Sequence, residues 1–437
     1  MGAAAALPAC GDRRRGAAVE APPAPAPEAA VRRRRELSPL PKRSLSPRLE
    51  RLRSRAAGEA ARGRGLAWLG AVEVAELTGW EYGARTREIS DALLTEDLRA
   101  MSRLAAAGGI LPEGTDLASL AASFTAATAS ATYSPLDKRV LVVSNGAERD
   151  DARATALLTH EYVHALQDQH FDLLGLMLAH PFDFDRSEAL FALVEGDAMS
   201  VEHRAQGGES FARLSPDEIA RREDGRYEPY RRGIGALFPP LLTETFIFRY
   251  RDGLRFVEAL RRAKPPVGAD QIFRRPPRST EQVLHPEKYL SDEAPREVAL
   301  AADRLLGAGW RLTAATPLGE VGVRGILLAG AGDQESRRAA AGWGGDRAYL
   351  FEREGRRPLF VWKTLWDTPA DAREFFRAYG SLGRKAGASA APAEGETRLA
   401  WSGDGAETVV RLEGDGVVVV RAAPEEVEGA LAAAAVR

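Results

Sequence analysis

His160-Glu161-Tyr162-Val163-His164 sets two imidazoles four residues apart, with a carboxylate directly after the first. On a helix, residues four apart differ by about 40° in azimuth and lie ~6 Å apart along the axis, so both rings reach one point. Neutral imidazoles at that spacing suit a zinc ion. A glutamate beside the first is placed to take a proton from a water at the metal. Leu157 and Leu158 precede the motif, Ala165 and Leu166 follow it, and no Pro or Gly breaks the helix. The bland alternative is a pair of surface histidines on a solvated helix. With only 6 histidines in 437 residues, the spacing favours the metal.

A catalytic zinc takes a third protein ligand and keeps one position open. His170 stands ten residues after His160. If the helix continues, it lies about 240° round from His164 and ~9 Å further along, pointing away from the metal. A chain leaving the helix early would need a glycine three residues after His164, where the sequence has Gln167. Glu195, in Ala192-Leu193-Val194-Glu195-Gly196-Asp197-Ala198, comes after 30 intervening residues, enough for a loop and a returning helix. Glu188 and Glu202 lie seven residues to either side of Glu195, on nearly the same helix face. Spacing alone does not choose among the three.

The chain resembles the gluzincin metallopeptidases in a three-part order. After His-Glu-x-x-His comes Glu195-Gly196-Asp197-Ala198, similar to their Glu-Gly-x-Ala. Then comes Tyr250-Arg251-Asp252-Gly253, similar to the Tyr-x-x-Gly of some bacterial relatives. The strings Thr159 to His170 and Ser279 to Tyr289 also resemble a group of uncharacterised bacterial proteins taken for metallopeptidases. The resemblance covers roughly residues 130–262. It implies peptide hydrolysis, zinc held by His160, His164 and Glu195, Glu161 as general base, and a tyrosine donating to the oxyanion, which we assign to Tyr250. His285 and Tyr289 are further active-site candidates. His285 precedes Pro286, which favours an extended backbone able to send a side chain into a cleft. There are departures. The His-to-Glu gap exceeds that of the zinc aminopeptidases, and no Gly-x-Met-Glu-Asn segment occurs. Met199 stands where thermolysin-like members carry an Asp, which leaves the partners of the zinc histidines unassigned.

These residues need helices to hold them. Apolar periodicity predicts helices over 91–106, 116–130, 152–170, 186–204 and 244–262, with strands at 132–134 and 139–143. Beyond a Pro-containing stretch from 276 to 295, hairpin signals pair 348–351 with 359–362 and 408–411 with 417–420, around a helix at 367–379. The expected fold is α+β: a mainly helical zincin-like domain with a small sheet (66–295), then a smaller α+β unit with antiparallel hairpins (296–437).

Composition bounds the function. Hydrophobic residues are 45% and charged residues 28% of the chain, as in a globular protein. A net charge of -2 argues against a generic nucleic-acid partner, and a single cysteine excludes internal disulfides and multi-cysteine metal sites. Residues 1–65 hold 15 Lys/Arg against 6 Asp/Glu and are rich in Ala and Pro. They read as a disordered basic tail. Leu7-Pro8-Ala9-Cys10 resembles a bacterial lipobox. It points to lipidation of Cys10, membrane attachment through that lipid, and a place in the cell envelope or outside the cell, with residues 11–65 as tether. The expected partner is a peptide or protein substrate. The competing class is a non-catalytic envelope or secreted lipoprotein with a structural or vestigial zinc. Glu161 argues against it, because a structural site needs no base beside its ligands.

Overall fold

The computed structural model describes residues 37–93, 95–128, 130–143, 150–385 and 395–434. Cys10 and the Pro- and Arg-rich stretches around it lie outside the described residues. Helix α1 (Pro47–Arg64) corrects the expectation of a disordered segment reaching residue 65. Its start is encoded by Ser46, whose side chain accepts from the Leu49 N–H, by Pro47 in the first turn and by Glu50. Gly65, at φ 74°, ends it. Leu49, Leu52, Ala56 and Ala60 form the buried stripe, and its small side chains explain why so polar a segment still packs.

After α1 come β1 (Glu73–Leu77), α2 (Gly79–Leu93), α3 (Thr95–Ala107), α4 (Leu117–Thr128), β2 (Ala131–Ser134) and β3 (Arg139–Val143). The helix expected over 91–106 falls across α2 and α3. The sheet has the order β1-β3-β2, with β1 parallel and β2 antiparallel to β3. The β2–β3 register pairs Tyr133 with Val140.

Helix α5 (Asp151–Phe171) carries the His-Glu-x-x-His motif. Asp150 caps its first turn and Asp172, at φ 52°, ends it. Nearly every residue from Ala154 to Asp168 is buried, because α1, the sheet and a later helix enclose it. Next are α6 (Leu173–Leu178), α7 (Phe184–Ala212), α8 (Pro216–Arg232) and α9 (Pro240–Arg262). The short helices α10 (Ala269–Arg274), α11 (Thr280–Leu284) and α12 (Pro286–Leu290) complete this half. Helices α7 and α9 cross at two glycines. A Cβ on Gly196 would sit 2.2 Å from the Gly253 backbone, and one on Gly253 would sit 2.1 Å from the Ala192 carbonyl oxygen.

The C-terminal half contains α13 (Asp303–Gly307), β4 (Arg311–Thr316), α14 (Gly319–Leu327), α15 (Asp333–Ala340), β5 (Trp343–Glu352) and β6 (Leu359–Trp366). It ends with α16 (Pro369–Lys385), β7 (Arg398–Gly403), β8 (Ala406–Glu413), β9 (Gly416–Ala422) and α17 (Val427–Ala434). Its six strands form one antiparallel sheet, β4-β5-β6-β9-β8-β7, which contains both expected hairpins. Trp343, Trp362, Trp366 and Phe375 fill one face; Phe351, Val361, Val418 and Leu431 fill the other. The fold is therefore α+β. The two halves share a core, since Met101, Leu104, Leu111 and Leu117 join the cluster around Trp343 and Trp362. No helix among the described residues is long and apolar enough to cross a membrane.

Candidate metal centre

Helix α5 supplies both histidines and α7 supplies the glutamate. The His160 Nε2 lies 3.0 Å and the His164 Nε2 3.4 Å from the same oxygen, Glu195 Oε2. The two rings stand nearly perpendicular, with centroids 4.7 Å apart. His160, His164 and Glu195 thus offer three ligand atoms within 4.8 Å of one another. A metal with bonds of ~2.1 Å in tetrahedral geometry needs donors ~3.4 Å apart, so the donor set fits a zinc-sized ion in spacing and in type.

Each histidine is oriented through its other nitrogen. The Nδ1 of His160 faces Glu202 Oε2 at 3.2 Å, and the Nδ1 of His164 faces Gln167 Oε1 at 2.9 Å. These are the partners that the sequence left unassigned. Glu202 was legible only as a member of the carboxylate row on α7. Gln167, three residues after His164, gave no signal except as the residue in place of a glycine. The Nδ1 contacts direct both Nε2 atoms at the shared point.

Glu161 is also buried, and its Oε2 accepts the Tyr133 backbone N–H from β2 at 2.6 Å. Burial raises its carboxyl pKa, against the pull of the two imidazoles. Burial also works against charge on His160, yet the Glu195 and Glu202 carboxylates carry its pKa well above the ordinary value. Burial likewise opposes charge on Glu195, but His164 and His160 hold its carboxyl far below the usual range. Two imidazoles and a carboxylate thus compete for protons at one point, a place where a dication would substitute for them.

Tyr250, on α9, stacks its ring on His160 at a centroid distance of 6.4 Å. Its hydroxyl takes no partner among the described residues. Next to it, Arg249 forks onto Glu188 on α7, with bonds of 2.7 and 2.6 Å. Glu188 is therefore paired with an arginine, not directed at the triad.

The other candidates lie elsewhere. Helix α5 runs unbroken past Gln167, and His170 bonds the Ala67 carbonyl region at 2.8 Å near the helix end. Tyr289 is not brought to the triad. It is buried in an apolar cluster with Phe256, and its hydroxyl donates to the Arg275 carbonyl at 2.9 Å. His285 pairs through Nε2 with Glu320 of α14 at 3.0 Å. The Pro286 that was expected to free His285 instead starts α12, and the ring is used at the junction between the halves. A second acidic group, Glu281, Glu293 and Asp367, surrounds the Lys288 ammonium at 2.6 to 2.9 Å, so a side-chain cation already holds it together.

Residues 309–432 match a family described as a domain of unknown function, DUF8575; the match runs from the start of β4 into α17. No curated protein matches the chain. A solved structure from Chloroflexus aurantiacus, described as "a putative hydrolase with a novel fold", aligns with 20% identity and a TM-score of 0.36. The alignment covers 61% of this chain and 96% of that one.

Proposed function

We propose that the protein is a zinc-dependent peptidase that hydrolyses peptide bonds with Glu161 as general base. The observation that carries this reading is the convergence of His160 Nε2 and His164 Nε2 on one oxygen of Glu195, with Glu161 buried beside them. When bound there, zinc would polarise the scissile carbonyl and acidify the attacking water. Glu161 takes the proton of that water and later delivers it to the leaving amine. Its raised pKa suits both directions of transfer. The Tyr133 N–H anchors one carboxylate oxygen, so the base keeps its orientation through the exchange. Tyr250 donates to the oxygen on which negative charge develops. A purely structural zinc normally takes four protein ligands. Among the described residues no fourth His, Cys, Asp or Glu joins the group. Attachment of the protein to the cell envelope through Cys10 belongs to the same proposal.

The test joins metal content to turnover. Purified protein should carry one zinc by elemental analysis and should hydrolyse casein until a chelator is added. His160→Ala should lose both properties. Glu161→Gln should keep the zinc and lose at least a hundredfold in rate, within the range expected for a general base. Full activity in Glu161→Gln would overturn the reading.

A further inference from the structure

A buried chain of polar groups runs from His164 to the N-terminal helix. The Gln167 side-chain NH2 donates to the Val194 carbonyl and to Asp197 Oδ2, both at 3.0 Å. With two acceptors on that side, the amide has one orientation, and its oxygen must face His164. An oxygen there accepts a hydrogen bond from Nδ1–H, so in the neutral ring the lone pair is on His164 Nε2, the nitrogen that faces the shared point beside Glu195. Asp197 is fully buried, and Arg64, at the end of α1, donates to it through Nε at 2.5 Å. Arg64 is itself fixed by Asp270 at 2.7 Å and lies over the rings of Phe171 and Phe273. Arg261 is the other cation near Asp197, at 3.6 Å from Oδ1.

We infer that Arg64 is a positioning residue for the metal centre: through Asp197 and Gln167 it sets the tautomer of His164, so that metal affinity depends on the docking of α1. The inference rests on the peptidase reading for its purpose, though not for its geometry. Without Arg64, Asp197 loses the contact that fixes its rotamer, and the second acceptor of Gln167 is no longer held in place. The amide is then free to turn its NH2 toward His164, which would place a proton on Nε2 where a metal ligand needs a lone pair.

The test uses the full chain. In Arg64→Met, Zn2+ affinity measured by chelator competition should fall at least tenfold, the usual effect of removing a group that orients a ligand. The visible spectrum of the Co2+-substituted protein should change with it. Arg64→Lys, which keeps one donor, should recover part of the loss. In metal-free protein, at a pH high enough that the ring is neutral, 15N NMR of the imidazoles should show His164 protonated at Nδ1 in the wild type and a mixture of tautomers in Arg64→Met. A merely structural role would lower the melting temperature and leave the tautomer alone. Wild-type affinity and tautomer in folded Arg64→Met would overturn the inference. If that variant does not fold, Gln167→Met decides: an unchanged His164 tautomer overturns the inference, a mixed one supports it. A wild-type protein that binds no Zn2+ would defeat the proposed function, while the tautomer measurement would still decide this one.

Discussion

Under the proposed mechanism, removing the Tyr250 hydroxyl should separate oxyanion stabilisation from metal binding, because the ring contact with His160 survives in Tyr250→Phe. The variant should turn over about tenfold or more slowly with unchanged zinc content. An unchanged rate would remove Tyr250 from the mechanism. A second residue contributes to the loss of stability in acid. Burial holds His203 down to about 4, with Arg226 adding to the effect and Glu202 opposing it. The folded protein therefore keeps His203 neutral, whereas the unfolded chain binds a proton near pH 6.5. This contribution is fully present above pH 6.5 and is lost as pH falls toward 4. At pH 5 the loss is about 2 kcal/mol. Urea unfolding at pH 7.5 and pH 5 should show that loss in the wild type but not in His203→Gln; an equal loss in both proteins would mean that His203 is already charged in the fold. His160, Glu161 and His164 were legible in the sequence because helix geometry alone makes them converge. Glu202 was visible only as one of a row of carboxylates, because which of them meets His160 depends on the rotation of α7 against α5; Gln167 was not visible, because its rotamer is set by Val194 and Asp197 across the helix contact.

At the scale of elements, the crossing of α7 and α9 brings Tyr250 to the histidines, and two glycines set its depth. Gly196 directly follows Glu195, the proposed third ligand, and Gly253 is one turn beyond Tyr250, so the two resemblance motifs are the two sides of one helix contact. Gly253→Ala would force backbone apart, at a cost of about 3 kcal/mol, and should displace Tyr250. The expected result is a lowered melting temperature together with reduced turnover. Gly225→Ala on α8 is the control. A Cβ there meets nothing within 4 Å, and better helix propensity should raise stability by ~0.5–1 kcal/mol. Equal effects of the two substitutions would refute the close-approach argument. Helix α5 followed from its sequence, as did the hairpins, since their signals are local. Helix α1 did not: its buried stripe has only Leu49 and Leu52 beside small alanines in an otherwise polar segment, and its partners Tyr162 and Ala198 lie a hundred or more residues away.

At the scale of the whole molecule, the C-terminal half packs against the helices of the site, and among the described residues it contributes none to the His160-His164-Glu195 group. Glu244 on α9, the helix that carries Tyr250, meets Arg324 on α14 at 2.8 Å, with both side chains almost completely buried. Nearby, Asp185 at the start of α7 accepts from the Thr280 N–H and hydroxyl, against Gly319. Thr316 on β4 accepts the Phe184 N–H at 3.0 Å. Hairpin patterns announced an α+β unit after residue 295, but no local signal shows that α3 and α4 pack onto it, because that contact spans more than 200 residues of chain. A shared core and buried ion pairs should make the halves unfold together. Arg324→Met leaves Glu244 with Arg231 at 3.2 Å and Arg251 at 3.6 Å. The substitution should still cost on the order of 3 kcal/mol, since a buried carboxylate loses its nearest cation. Calorimetry should record one transition in the wild type, and in Arg324→Met one transition at lower temperature. Two resolved transitions, with only the later half of the chain shifted, would show that the halves are energetically separate and that the sheet does not support the helix bearing Tyr250.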